Sequence, residues 1–378
     1  MGGCRLSAVQ YHYGHFPPTQ LLWEKLIPYI GPASAAIARY DGLLSAIPNA
    51  TVLLSPLTTQ EAVLSSRIEG TQATIGEVLE FEAGELPAED SIEKRNDIQE
   101  VLNYRKAMNH AMNLLKTLPL SQRLIKDVHK VLMDSVRGNG KSPGEYRKIP
   151  NWIGPSGCTI EEARFVPISA EKLPDGMSDF ERYIHTDNVV DHLIQLAVLH
   201  AEFEALHPFL DGNGRLGRML IPLFLWNKGI LHQPMFYVSA FFEANRETYY
   251  ERLLEVSKAG NWTDWIAFFL SALREQANLN SQRATEILDL YNSKKGELVQ
   301  LTHSQYTILA LDWIFDKPIF KSNDFVETSG IPAPTARRIL SVFRENNILI
   351  SIKDASGRSP AVYAFRELLN IAEGRDVF

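Results

Sequence analysis

Cysteine is scarce in this sequence: Cys4 and Cys158 are the only two among 378 residues. With no CxxC pair and no Cys/His cluster, neither a disulfide framework nor a structural zinc site is indicated, and a reducing, cytoplasmic setting is the expectation. Long apolar runs are also missing. The longest, such as Met219–Trp226, are too short to cross a bilayer, so no membrane role is expected. The opening Met1-Gly-Gly-Cys-Arg-Leu6 is followed by no apolar signal-peptide core. It carries Leu6 where a myristoylation pattern wants Ser or Thr. Positive charge is lacking too. A net charge of −7 argues against nucleic-acid binding driven by bulk electrostatics, while leaving room for a local basic patch. There is no internal repeat and no low-complexity tract.

What remains is an ordinary globular composition, 45% hydrophobic and 22% charged. The chain is longer than one core usually needs, which suggests two or three domains. The pattern is mainly α. An aromatic, Pro-containing arm covers about the first 20 residues, and helices broken at Gly31-Pro32 follow over 21–47. A further helix is expected to start at Thr59, capped by Thr58 or Thr59, and to close at Gly70. An acidic loop over 82–97 precedes amphipathic helices at 98–118 and 121–136. A Gly/Pro/Asn/Ser-rich stretch, 137–174, carries strand-like pieces at 151–154 and 164–168, as a hairpin would. Helices are then expected at 188–206, 215–228 and 263–278, with a helical or linker segment at 284–301. The last part has the order of a winged helix-turn-helix. Its helices lie at 304–315, 322–328 and 334–345, and its strands at 348–352 and 361–365 flank the turn Asp354-Ala-Ser-Gly357. The expected domains are 1–97, 98–280, a linker or helix at 281–301, and 302–378.

One loop concentrates reactive side chains: His207-Pro-Phe-Leu-Asp-Gly-Asn-Gly-Arg-Leu-Gly-Arg218. Pro208 disfavours the α region for His207, so the apolar helix should end there with the imidazole at its tip. Asp211 can face a metal. Gly212-Asn213-Gly214 permits a tight turn that presents backbone N–H groups. The following helix start suits an anion, and Arg215 and Arg218 lie three apart on it. A base, a carboxylate, an anion nest and two cations within twelve residues suit phosphoryl or nucleotidyl transfer.

This loop resembles the Fic motif, HxFx(D/E)GNGRxxR, with every specified position filled. Pro143-Gly-Glu-Tyr-Arg147 and Phe165-Val-Pro167 resemble the family's pre-flap and flap. The resemblance implies a Fic-type helical bundle with a β-hairpin flap, followed by the winged helix. It implies transfer of AMP from ATP to a Ser, Thr or Tyr hydroxyl of a target protein, the chain itself included. His207 would act as the base, and an unperturbed imidazole titrates at about 6.5. Asp211 would hold Mg²⁺. Gly212, Asn213 and Gly214 would cradle the phosphates, and Arg215 and Arg218 would meet the outer phosphates. Tyr250, in Asn245-Arg-Glu-Thr-Tyr-Tyr250, would wall the adenine, with Ser257 near where a polar partner is expected. The target would add a strand beside the flap near Phe165–Ile168. The Gly-Asn-Gly-Arg form fits AMP transfer; phosphate-transferring relatives of the Doc type alter this loop.

Ser65-Ser-Arg-Ile-Glu69-Gly70 resembles the family's inhibitory motif, (S/T)xxxE(G/N). A carboxylate late in a helix opposes the dipole, and a local rule broken in this way points to a partner elsewhere. That partner is expected to be Arg218, with Ser65 steadying Glu69 or the helix end. The same glutamate could instead orient a water that removes AMP. A homodimer is the family's expectation.

Other features carry blander readings. His192 and His200 lack metalloprotease spacing and read as core or surface residues. Gly138-Asn-Gly-Lys141-Ser142 mimics the tail of a P-loop but has Ser135 in place of the first glycine and no preceding strand. The stretch 321–360 holds six basic and four acidic residues, including Arg337 and Arg338 on the expected recognition helix. DNA binding and protein docking both remain open for this unit, as does a DNA-binding regulator with a nucleotide-sensing Fic core.

Overall fold

The computed structural model describes residues 8–85, 91–134, 139–155, 157–356 and 359–377. Cys4 and the Met1–Leu6 stretch, Ser135, Gly138 and Gly357 lie outside these residues. The fold is mainly helical. In chain order, β1 (Val9–Gln10) precedes α1 (Trp23–Ala46), α2 (Ala50–Leu53), α3 (Ser55–Ile68), α4 (Ile75–Glu82), α5 (Ile92–Leu115) and α6 (Gln122–Leu132). Then come β2 (Phe165–Val166), α7 (Leu173–Ile184), α8 (His192–Leu206), α9 (Asn213–Asn227), α10 (Ser239–Ala244), α11 (Arg246–Ala259) and α12 (Trp262–Thr302). The C-terminal part contains α13 (Thr307–Asp316), β3 (Ile319–Lys321), α14 (Ser322–Thr328), α15 (Ala333–Glu345), β4 (Ile350–Lys353), β5 (Val362–Ala364) and α16 (Arg366–Glu373).

Two compact units result. One joins the residues up to Ala38 to Asn103–Asn278; the other joins Arg39–Leu102 to the residues from Leu279 onward. This division follows packing, whereas the sequence-based boundaries follow the order of segments along the chain.

In the first unit α8 is apolar on nearly every face and is buried at thirteen of its fifteen positions, as its sequence predicts for a central helix. Asp191 caps it, accepting from the N–H groups of Leu193 and Ile194 at 2.8 and 3.1 Å. Helix α9 packs against it, and Gly217 makes the approach possible: a Cβ there would run into Phe203 and Glu204 of α8. The N-terminal arm is sewn to this unit. Val9 and Tyr11 donate to the carbonyls of Arg164 and Val166, forming a parallel pair of β1 with β2.

In the second unit the segment that holds the expected inhibitory motif shares a core with the C-terminal elements. Helix α3 packs on α13 and α16, and α4 packs on β3. The sheet order is β3-β5-β4, antiparallel, with Ile319 and Ile350 both opposite Ala364 and an irregularity between Ser351 and Lys353.

Several local expectations need correction. The break expected at Gly31-Pro32 is absent: α1 runs on through Pro28 and Pro32. Both prolines are exposed, on the face opposite the buried stripe Leu26, Ala33, Ile37, Tyr40 and Leu44, which the helix keeps. Helix α3 starts four residues before the predicted Thr59, with Pro56 in its first turn, and Thr59 Oγ1 instead donates to the Ser55 carbonyl. Helix α5 begins at Ile92, inside the stretch read as loop. The predicted helix at 263–278 and the helical or linker segment at 284–301 are one 41-residue helix, α12, so the helical alternative holds for the second. Strand β3 and helix α16 had no counterpart in the sequence reading.

Candidate functional site

The loop between α8 and α9 is built from backbone conformations that its residues dictate. His207 ends α8 in the left-handed region, φ 46° and ψ 59°. Pro208 had already excluded it from the helical region. Gly212 precedes α9 at φ 77°, where glycine carries no steric cost. It is also crowded: a Cβ at Gly212 would meet the Met133 sulfur at 2.8 Å.

Between these two turns the loop is held by reciprocal hydrogen bonds. The Asn213 side chain accepts from the Phe209 N–H and donates to the Phe209 carbonyl, both at 2.9 Å. The amide expected to cradle phosphates is therefore committed to the loop itself. The Gly212 N–H donates to Asp211 Oδ1 at 2.6 Å, and Arg215 Nη2 lies 3.4 Å from the same oxygen. The Asp211 side chain is 46% exposed, whereas Arg215 and Arg218 are almost wholly buried. A carboxylate thus already sits where the helix start and Arg215 favour negative charge. Among the described residues no group of three or more His, Cys, Asp or Glu could hold a metal. A hard cation here would use the accessible Asp211 carboxylate together with the oxygens of a phosphate ligand, a donor set that suits Mg²⁺.

Two residues absent from the expected site scaffold it. Arg147, at the end of the Pro143–Arg147 segment, is buried. Its guanidinium donates to the carbonyls of His207 (2.9 Å), Leu206 (3.3 Å) and Ile168, capping α8 and tying it to the flap. Burial lowers its pKa from the ordinary range. His129 of α6 reaches the loop at Asp211. Its sequence signal was a histidine on the apolar stripe Leu124, Ile125, Val128 and Leu132 of a strongly amphipathic helix. A third group, Tyr11, His12, Glu202 and Ser257, joins the arm to the core. Tyr11 donates to Glu202 at 2.6 Å, His12 Nε2 lies 2.8 Å from Glu202, and His12 Nδ1 lies 2.8 Å from Ser257 Oγ. Ser257 is thereby engaged with the arm.

Tyr250 lies on α11, half-buried, with the Arg246 guanidinium 5.8 Å from its ring. Its neighbour Tyr249 is buried and donates to His200 Nε2 at 2.8 Å, while His200 Nδ1 donates to the Gly217 carbonyl. Burial first, and the Arg218 charge second, push the His200 pKa down to about 3, so it is a neutral core residue. His192 opens α8 beside Gln195. Both match their bland sequence readings.

The flap edge proposed for an incoming strand is already in use over Phe165–Val166. Arg164 and Val166 accept from the arm, and Phe165 exchanges hydrogen bonds with Ile153 on the other side. Trp152 and Ile153 remain 41% and 37% exposed. In the second unit, α3 ends at Ile68, so Glu69 is its C-cap and not part of its last turn. Gly70 follows at φ 112°, and Ser65 is buried.

The profile of the Fic/DOC family N-terminal region matches residues 27–113, and that of the Fic/DOC family matches residues 119–225. A probable protein adenylyltransferase of Aquifex aeolicus is 29% identical over 206 residues, covering 54% of this chain and 57% of that protein. The protein adenylyltransferase Fic of Drosophila erecta is 22% identical over 219 residues, covering 56% and 39%. The chain therefore spans about half the length of these curated relatives. Two solved structures share the fold. A Fic family protein from Desulfovibrio desulfuricans has a TM-score of 0.56 at 21% identity, covering 93% of this chain and 98% of that one. A Fic-domain signalling protein from Bacteroides thetaiotaomicron also has a TM-score of 0.56, at 20% identity, covering 68% and 97%. The two profile matches together span just over half of the chain, and the motif His207–Arg218 lies inside the second: the chain belongs to the Fic/DOC family.

Proposed function

We propose that the first unit transfers AMP from ATP to a Ser, Thr or Tyr hydroxyl of a protein, its own chain included. The observation that carries this reading is the pairing of two ends. His207 terminates a buried helix in a left-handed turn, and five residues later a glycine-capped helix start opens with Asp211 and Arg215 beside it. His207 takes the hydroxyl proton, and the oxygen bonds to the α-phosphorus. The bond to the bridging oxygen breaks, and pyrophosphate leaves. The Gly212 N–H, once released from Asp211 Oδ1, and the Gly214 N–H meet the phosphates, Arg215 and Arg218 balance their charge, and Tyr250 lies against the adenine. Asp211 would hold Mg²⁺, which when bound supplies charge neutralisation at the phosphates. The protein target docks at the flap. Because Arg164–Val166 are already paired, it runs along the outer side of Trp152–Ile153. Restraint by Ser65, Glu69 and Gly70 is part of this reading on the strength of their motif, and a homodimer on that of the resemblance.

The test is incorporation of label from α-³²P-ATP. Glu69→Gly should label itself well above wild type, and adding His207→Ala should abolish the signal. A folded Glu69→Gly protein that binds Mg–ATP yet incorporates no label overturns the reading.

A second reading concerns the C-terminal part, which we take as a winged helix that contacts phosphates of DNA. A groove of roughly 520 Å³ between α14 and α15 is lined by Asn323, Arg337, Ser341, Arg344 and Tyr363, and also by Glu327. Arg338 is differently placed, donating to the Thr302 carbonyl at 2.8 Å. Duplex binding that weakens with salt and is lost in Arg337→Ala supports this role; protein docking without it replaces it.

A further inference from the structure

Helix α6 sends one side chain into the junction between the pre-flap and the catalytic loop. His129 Nδ1 lies 2.9 Å from the Gly144 backbone nitrogen, and its Nε2 lies 2.9 Å from the Asp211 carbonyl oxygen. A backbone N–H can only donate and a carbonyl can only accept. The ring is therefore the neutral tautomer with its proton on Nε2: Gly144 donates to Nδ1, and Nε2–H donates to Asp211. The imidazole stacks flat on Phe209, with centroids 3.7 Å apart and planes 11° from parallel. Phe209 is the residue whose backbone Asn213 clamps. The ring is fully buried. Gly144 is itself pressed on α6 at φ 80°, where a Cβ would lie 3.1 Å from the Lys126 carbonyl. Both ring nitrogens and one ring face are thus committed, and each commitment ends on a different part of the site.

We propose that His129 is a positioning residue for nucleotidyl transfer: its Nε2–H holds the Asp211 peptide, and so aims the Asp211 carboxylate and the Gly212 N–H, while Nδ1 and the stacked Phe209 fix the ring. It touches no reacting atom. The Asp211 carbonyl is one bond from the peptide nitrogen of Gly212. Rotation of that peptide would turn the Gly212 N–H away from Asp211 Oδ1 and from any phosphate at the helix start. A buried ring with both nitrogens bonded cannot rotate without breaking both bonds, which is what pre-organisation of a charge-stabilising loop requires. This inference rests on the AMP-transfer reading for its kinetic consequence but not for its geometry.

Two isosteric halves of the ring separate positioning from packing. The Gln amide nitrogen lies near Nε2, so His129→Gln keeps the donor to Asp211 and loses the acceptor for Gly144. The Asn oxygen lies near Nδ1, so His129→Asn keeps the acceptor for Gly144 and loses the donor to Asp211. Each variant is made in the full chain on the Glu69→Gly background. Its melting temperature, its Kd for Mg–ATP by calorimetry and its kcat and KM for self-labelling are then measured. The expected result is that His129→Asn loses about 10–100-fold in kcat and binds Mg–ATP more weakly, while His129→Gln recovers most of both. Losses that follow melting temperature in both variants alike, or an Asn variant with the parent's kcat and Kd, overturn the proposal. If the parent incorporates no label, AMP transfer fails as a reading, and the Kd comparison still decides whether His129 positions the loop.

Discussion

The His207–Arg218 loop of the first unit and the C-terminal part of the second are filled by different means. Around α13–α15 the interior is aromatic and aliphatic. Phe315, Phe320, Phe325, Phe343 and Phe365 are buried, and Trp313 meets Phe320 and Phe325 edge-on at 4.7 and 5.1 Å. Around His207–Arg218 the buried Phe209 and Leu216 are joined by a polar lattice. Asn213, Arg147, His129, Arg215 and Arg218 are all buried. Side-chain hydrogen bonds of the first three run to backbone groups of the loop, the pre-flap, the flap and the end of α8. An apolar core tolerates a misplaced methyl group at a graded cost, whereas a buried polar lattice is either complete or badly penalised. The difference teaches where the chain needs one unique backbone path and where it needs only volume.

Three experiments can break or sharpen this contrast. The largest effect is expected in the apolar region. Phe343→Ala empties a fully buried site and should cost about 3–5 kcal/mol in denaturant unfolding of the second unit. A loss in stability of similar size, joined by one in function, is expected from Asn213→Ala. It strands the Phe209 N–H and carbonyl, at about 1–3 kcal/mol for each group left without a partner. Its Mg–ATP binding should fall well beyond what its stability explains. Binding unchanged at wild-type strength would show that the polar lattice is dispensable. The smallest effect is one of pH. His200 is held neutral by burial, with a folded pKa of about 3 against an unfolded value of about 6.5. The unfolded chain therefore binds more protons across that window. The stability contribution is whole above about 6.5 and is lost as the pH falls toward 3, reaching about 2 kcal/mol at pH 5. His200→Gln should flatten that dependence in chemical unfolding between pH 6.5 and 5; an identical slope in wild type and variant would remove His200 as its source.

How far the sequence could be read follows the same division. Helix α14 spans the predicted 322–328, and α9 starts within two residues of its predicted position. Their ends are set by local chemistry: a glycine at positive φ before α9, and turn residues around α14. The twelve-residue motif was legible because its turns depend on Pro208 and Gly212 themselves. The continuity of α12 was not, because nothing in 279–283 signals its fate by itself. The run holds no Pro or Gly, and whether it stays helical depends on what covers Ala277, Ala284 and Ile287. Strand β3 was hidden for a related reason. Three residues, Ile319–Lys321, become a strand only because β5 offers them a ladder.

By itself the sequence determined the family, the helical character and the turns of the His207–Arg218 loop, since these rest on backbone limits and spacings within about a dozen residues. Only the tertiary structure decided that the arm lies along β2, that α3 shares a core with α13 and α16, and that Arg147 and His129 brace the loop. Those pairings join groups some 60 to more than 250 positions apart, and no local rule of propensity or periodicity reports which distant hydrogen-bonding partner a buried polar group will find.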